Sequence, residues 1–282
     1  MSVTVSAPTQ FVDAGGVHYA YRSFGLESDV PLFCLQHFTG TLDLWDPAVF
    51  DALSKDRRVL LFENAGVGLS GGDTPNNVEA MAEHAMRFLD ALGIQEVDVL
   101  GFSLGGFLAQ HIALVRPELV RGLILSGTGP EGGDGVSMGR PELLKVFSDA
   151  EMPLVEKLKR LFFTNTAHSQ AAASAYLNRI AKRAKDKDSA ATAEVAMNQL
   201  TAMAAWESVK DGDWTKLRRI VHPTLVTNGN NDIMIPTPNS FVLGAHIPNA
   251  TLIIYPDSGH GSLYQYPAAF VAHVNAFLGE LE

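Results

Sequence analysis

The run Gly101-Phe102-Ser103-Leu104-Gly105-Gly106 constrains this chain more than any other. It follows an apolar stretch of β type, Val97-Asp98-Val99-Leu100, and opens an apolar helix-type stretch from Phe107 to Val115. A strand that turns straight into a helix through Gly-x-Ser-x-Gly is the context of a nucleophile elbow. Sterics explain the glycines: a serine at the tip of so tight a turn leaves no room for side chains beside it, so positions 101 and 105 have to be small. The turn pushes the Ser103 hydroxyl out of the fold. The first turn of the helix presents unbonded N–H groups to any oxyanion that forms there.

The rest of the chain sets that elbow in an alternating pattern. Val17 to Phe24 reads as a strand, and Pro31 to Gln36, Arg58 to Phe62, Val97 to Phe102 and Val120 to Ser126 are continuous apolar runs. Such runs suit strands buried on both faces, as in a parallel sheet covered by helices. Between them, Asn77 to Leu92 places Met81, Ala85, Phe88 and Leu92 on one helical stripe, and Gly93 stands at the expected stop. From about Glu131 to Arg218 strand signals vanish. Leu154, Leu158, Leu161 and Phe162 mark one helix, and Ala171 to Ala184 and Ser189 to Trp206 mark two more. The sheet resumes at Pro223 to Asn228 and Thr251 to Tyr255, and Pro267 to Leu281 closes the chain as a helix. The expectation is an α/β fold: a doubly wound, mostly parallel sheet formed by residues 1–130 and 219–282, with an all-helical cap at 131–218 packed on it.

With 46% hydrophobic and 18% charged residues, the 282-residue chain can bury a full core. A net charge of −10 excludes a nucleic-acid binder, which needs clustered positive charge. The local basic run Arg179, Lys182, Arg183, Lys185 and Lys187 is broken by Asp186 and Asp188 and reads as a solvated helix face. Cys34 is the only cysteine, sits in an apolar run and allows no internal disulfide. No signal peptide opens the sequence, and no apolar run reaches the ~18 residues of a membrane span. The expected setting is the cytoplasm, as a monomer or homodimer.

A serine alkoxide needs a base, and the base needs an orienting acid. Of nine histidines, His260 stands in a flexible loop, Asp257-Ser258-Gly259-His260-Gly261, just after a strand-like run. Asp232 lies in Gly229-Asn230-Asn231-Asp232 after Thr224-Leu225-Val226, at a strand end where open α/β sheets place their sites. It is the preferred acid over Glu131 and Asp134, which follow the strand Leu123-Ile124-Leu125, and over Asp257, which is too near His260 along the chain. The oxyanion hole is expected from the N–H of Leu104, after the nucleophile, and from the loop Gln36-His37-Phe38-Thr39-Gly40-Thr41, with Phe38 as donor. His18, His84, His111, His222 and His273 read as core or surface residues. Metal-ligand spacings are missing, and neither metal nor cofactor is expected.

These residues carry a resemblance. Gln36 to Gly40, Trp45-Asp46-Pro47, Asn64 to Ser70, Gly101 to Gly106, Gly229 to Asp232 and Ser258-Gly259-His260 are similar to the motifs of the α/β-hydrolase fold superfamily, in its bacterial branch with a helical cap. The resemblance covers essentially the full chain. It implies Ser103 as nucleophile, Asp232 as acid, His260 as base, and the Phe38 and Leu104 N–H groups as oxyanion donors. Two positions depart from the pattern. The usual His-Gly of the oxyanion loop is Gln36-His37, and the arginine of the usual Asp-x-Arg-Gly-x-Gly-x-Ser stretch is missing from Glu63 to Ser70. His37 either supports its loop or touches substrate. Relatives that attack through a carboxylate carry aspartate at the elbow, so serine at 103 excludes that route.

The expected activity is hydrolysis of a small, largely apolar carboxylic ester, thioester or lactone through an acyl-enzyme. Carbon–carbon bond hydrolysis and cofactor-free perhydrolysis use the same triad and stand as alternatives. A non-catalytic small-molecule binder on the same fold is the reading from another class. Candidate walls of the substrate pocket are His37, Phe107, Phe162, Phe163, Met203 and Trp206.

Overall fold

A computed structural model describes residues 2–137, 139–210 and 212–281. Eight strands form one sheet: β1 (Gln10–Ala14), β2 (Val17–Gly25), β3 (Leu32–Leu35), β4 (Arg58–Phe62), β5 (Val97–Phe102), β6 (Val120–Ser126), β7 (Thr224–Gly229) and β8 (Ala250–Tyr255). Their order is β1-β2-β4-β3-β5-β6-β7-β8. The β1–β2 and β2–β4 pairs are antiparallel and the others parallel. Strand order reverses between β3 and β5, the switch point at whose carboxyl ends open α/β sheets place their sites. In that pairing Leu35 stands opposite Gly101, which sets the Gln36–Thr41 loop beside Ser103.

The twelve α-helices among the described residues are α1 (Val3–Ser6), α2 (Pro47–Leu53), α3 (Val78–Ala91), α4 (Leu104–Val115), α5 (Pro141–Ser148), α6 (Leu154–Phe162), α7 (Ala167–Ile180), α8 (Ala193–Ser208), α9 (Thr215–Arg218), α10 (Pro238–His246), α11 (Ser262–Gln265) and α12 (Pro267–Gly279). None is long and apolar enough to cross a membrane. α3 begins where Asn77 caps the Ala80 N–H at 2.8 Å, and its stripe buries Met81, Ala85 and Phe88. The Phe88 ring meets Tyr21, Phe33 and Phe62 from three strands, with centroids 4.8–6.0 Å away. Truncating a ring packed in this way typically costs about 3–5 kcal/mol.

Between β6 and β7 the described residues hold helices only, α5 to α9. α5 was not expected. α7 begins at Ala167, four residues before the expected start, because the Thr166 hydroxyl caps the Ser169 N–H. β1 was also unforeseen: half-exposed at the sheet edge, it lacks the apolar run that marks the central strands.

The basic run requires a correction. Arg179 makes paired bonds of 2.7 and 2.6 Å to the buried Asp46 carboxylate. Arg183 is buried: its guanidinium contacts Asp43 at 3.2 Å and donates to the Val5 and Ala7 carbonyls at 2.8 and 2.9 Å. Asp43 and Asp188 exchange bonds, each carboxylate accepting the other's N–H, and Arg22 of β2 reaches both. Only Lys182, Lys185 and Lys187 are solvated. The two arginines instead join the α7 segment to the sheet side of the molecule, because Asp43 and Asp46 offer buried carboxylates that need partners. Desolvation and the nearby Asp188 charge push the buried Glu63 carboxyl up beside this cluster.

Candidate active site

Ser103 occupies the turn between β5 and α4 at φ 57°, ψ −119°. That is a conformation in which side chains are strained, at a cost of about 1–3 kcal/mol. The surroundings over-determine it. The Ser103 N–H donates to the Ser126 carbonyl at 3.0 Å, and its own carbonyl accepts from the Gly106 N–H and the Thr128 hydroxyl, each at 2.8 Å. A Cβ at Gly101 would stand 2.5 Å from the Gly105 carbonyl oxygen, and one at Gly106 would stand 2.4 Å from Thr128 Oγ1. Both lie far inside van der Waals contact, so the glycines are required by close approach.

The other two members of the expected triad meet through the sheet register. β7 and β8 run parallel with Gly229 opposite Tyr255, which brings the two following loops together. A Cβ at Gly229 would stand 2.2 Å from the Ser258 carbonyl oxygen. The Asn231 N–H donates to that same carbonyl at 2.9 Å. Asp232 Oδ1 accepts the Met234 and Ile235 N–H groups at 2.8 and 3.0 Å, and this fixes the carboxylate plane. Its Oδ2 lies 2.8 Å from His260 Nδ1. With Nδ1 bonded to a carboxylate, the ring carries its proton there, and Nε2 offers a lone pair. His260 Nε2 and Ser103 Oγ are both buried, without a hydrogen-bond partner. The ring lies against Phe102 and Phe162, with centroids 5.0 and 5.4 Å away.

The alternative acids are engaged elsewhere. The Glu131 carboxylate pairs with Lys216, and Asp134 is exposed. Asp257 accepts the Thr164 and Thr166 hydroxyls at 2.8 and 2.6 Å, and these bonds hold its carboxyl below the usual carboxylate range. Asp257 therefore ties the His260 loop to the segment after α6. At the same junction the Gly261 N–H donates to the Phe162 carbonyl at 2.8 Å, and a Cβ at Gly259 would stand 2.8 Å from that carbonyl oxygen.

The loop after β3 follows an unusual path built by its own side chains. The Gln36 carboxamide accepts the His37 N–H at 3.0 Å and donates to the Thr41 carbonyl at 3.1 Å. The Phe38 carbonyl accepts from His37 Nδ1 at 2.8 Å and from the Thr39 hydroxyl at 2.7 Å. Thr39, at φ 55°, donates its N–H to Gln199 Oε1 of α8 at 2.7 Å. Among the described residues, neither the Phe38 nor the Leu104 N–H has a protein acceptor. Leu104 opens α4, where no carbonyl lies one turn back to receive it.

Of the expected pocket residues, His37 and Phe162 come together beside His260, their rings 5.1 Å apart. Burial, with His260 nearby, lowers His37 to about 3, so it is neutral at physiological pH. Phe107 of α4 stacks on Trp206 of α8 at 5.1 Å and 10°. Met203 is buried on the same helix. Phe163 turns away to Tyr176. Sequence reasoning missed Gln199, although its spacing of seven from Trp206 puts both on one helical face.

Comparisons with known proteins agree with this architecture. An alpha/beta hydrolase fold protein from Chitinophaga pinensis, of solved structure, is 42% identical, with a TM-score of 0.93 and 98% of each chain covered. A 2-hydroxymuconate semialdehyde hydrolase from Pseudomonas putida is 30% identical over 81% of this chain and 79% of its own. A poly(3-hydroxyalkanoate) depolymerase from Ectopseudomonas oleovorans is 29% identical over 88% of this chain and 84% of its own. The sequence model of the alpha/beta hydrolase fold matches residues 30–267, and the chain belongs to that family.

Proposed function

We propose that this protein is a serine hydrolase of small, largely apolar carboxylic esters, thioesters or lactones, with Ser103, His260 and Asp232 as its triad. The observation that carries the reading is the 2.8 Å bond from His260 Nδ1 to Asp232, which leaves Nε2 as a free base in the same buried site as an unpartnered serine hydroxyl. His260 Nε2 takes the Ser103 proton as Oγ attacks the carbonyl carbon. The Phe38 and Leu104 N–H groups hold the tetrahedral oxyanion. His260 then hands its proton to the leaving group, and a water activated by the same base frees the acid. Each oxyanion donor is worth about 10²–10³ in rate.

Residues 131–218 act in this reading as the roof of the site. Ser103 and His260 are wholly buried, and Phe162 of that segment lies against the His260 ring, which supports this role. The Phe102 and Phe162 rings beside His260 favour an acyl group with little charge. Carbon–carbon bond hydrolysis is the second reading, and the relative named for a 2-hydroxymuconate semialdehyde supports keeping it.

The test is covalent labelling with a fluorophosphonate, mapped by mass spectrometry on wild type, Ser103→Ala and His260→Ala. A single adduct on Ser103 that depends on His260 is expected. A folded protein that takes no label overturns the reading. Product analysis with esters, lactones and vinylogous diketones then separates the two bond types.

A further inference from the structure

We propose that Gln199 is a substrate-recognition residue: its carboxamide N–H groups bind a second acceptor oxygen on the acyl part of the substrate, beyond the scissile carbonyl. This rests on the serine-hydrolase reading of Ser103 and deepens it.

Gln199 is fully buried on α8, on the face that also buries Val195, Met203 and Trp206. Its orientation is fixed by chemistry. The Thr39 N–H can only donate, so the atom that meets it at 2.7 Å has to be Oε1. Nε2 belongs to the same planar carboxamide and therefore sits near the loop that Oε1 contacts at Thr39. It is buried and has no acceptor. Leaving such a donor without a partner is costly, so its retention in a buried place calls for an explanation.

The position of α8 supplies one. At one end of its inner face, Gln199 touches the loop that presents Phe38. Two turns on, about 10 Å along the axis, Trp206 stacks on Phe107, in the first turn after Ser103. The inner face of α8 therefore runs from the loop that carries Phe38 to the first turn of the helix that follows Ser103. Trp206 Nε1 is a further buried donor without an acceptor on that face. A roof helix that offers donors over an otherwise apolar site suits an acyl chain carrying a keto, enol or hydroxyl oxygen. It does not call for a plain alkanoyl chain.

The test compares two esters of equal chain length, 4-nitrophenyl pentanoate and 4-nitrophenyl 4-oxopentanoate, as competitors of fluorophosphonate labelling at Ser103. Competition reads binding whether or not the ester turns over. The oxo ester is expected to compete about tenfold better in wild type, the scale of one amide hydrogen bond given to a buried donor. Gln199→Glu keeps the acceptor for the Thr39 N–H but loses both donors, and Gln199→Met loses everything. The ratio between the esters falls to about one in both variants. If Gln199 served only to hold Thr39, Gln199→Glu would keep the wild-type ratio, and the proposal would be wrong. Equal competition by the two esters in wild type, or none by either, overturns it too. Absence of any label on wild-type Ser103 instead sinks the reading beneath it.

Discussion

Gly105 stands directly over Leu35: a Cβ added to Gly105 would lie 2.1 Å from the Leu35 carbonyl oxygen. The elbow helix α4 is thus seated on the end of β3, the strand whose loop carries Phe38. The contact is backbone against backbone, so no side-chain rotation relieves it. Gly105→Ala has to move either the elbow or the loop. Overpacking of this kind costs about 3 kcal/mol, and at 2–4 °C per kcal/mol the midpoint falls by about 10 °C. Labelling of Ser103 falls with it. A variant that melts within 2 °C of wild type and labels normally would show that the seating has slack.

The two carboxylates near His260 have separable roles. Asp232→Asn keeps Oδ1 as acceptor for Met234 and Ile235 but turns an amide N–H₂ toward His260 Nδ1. The imidazole then holds the wrong tautomer, and kcat is expected to fall about 10⁴-fold with the fold intact. Asp257→Asn weakens bonds to Thr164 and Thr166 only, and its kcat is expected to stay within tenfold of wild type. Steady-state rates on one ester decide the matter; equal losses from both would put Asp257 in the catalytic relay.

How much of this was legible depends on where each residue's partners lie. Arg58–Phe62, Val97–Phe102 and Val120–Ser126 were readable to the residue, because strands buried on both faces need unbroken apolar runs. Ser103, Asp232 and His260 stood out because tight approaches force glycine around them, and glycine is visible in a sequence. Gln199 was not visible. Its partner Thr39 is 160 positions away, and the one local hint, a spacing of seven from Trp206, marks a shared helical face without saying that the face is buried. Arg183 was misread for the same reason. Its neighbours Lys182 and Asp186 are exposed, Asp186 reaching it only at 4.0 Å, and its close partners are Asp43 and the carbonyls of Val5 and Ala7.

That misreading yields a stability prediction. Removing one partner from a buried charge cluster typically costs about 3–5 kcal/mol, whereas a solvated lysine is worth within about 0.5 kcal/mol. Arg183→Ala leaves Asp43 and Asp188 with Arg22 alone and strips two carbonyls of their donor. It should lower the urea midpoint sharply, while Lys182→Ala leaves it in place. Equal midpoints for the two variants would restore the picture of a solvated helix face.

His37 makes the fold sensitive to acid. Desolvation lowers it to about 3, from 6.5 when free. Between those values the unfolded chain binds a proton that the native state refuses, so stability falls as pH falls. The contribution is fully present above pH 6.5 and is lost progressively down to about pH 3. At about 1.4 kcal/mol per unit, roughly 2 kcal/mol is gone by pH 5. His37→Gln removes the titration, and its carboxamide can replace the donor that Nδ1 gives to Phe38. Its stability should therefore decline less steeply than wild type between pH 6.5 and 5, even if it starts lower. Urea melts at three pH values give both slopes. Parallel slopes would mean that His37 takes up its proton in the native state, which its setting between Phe102 and Phe162 opposes.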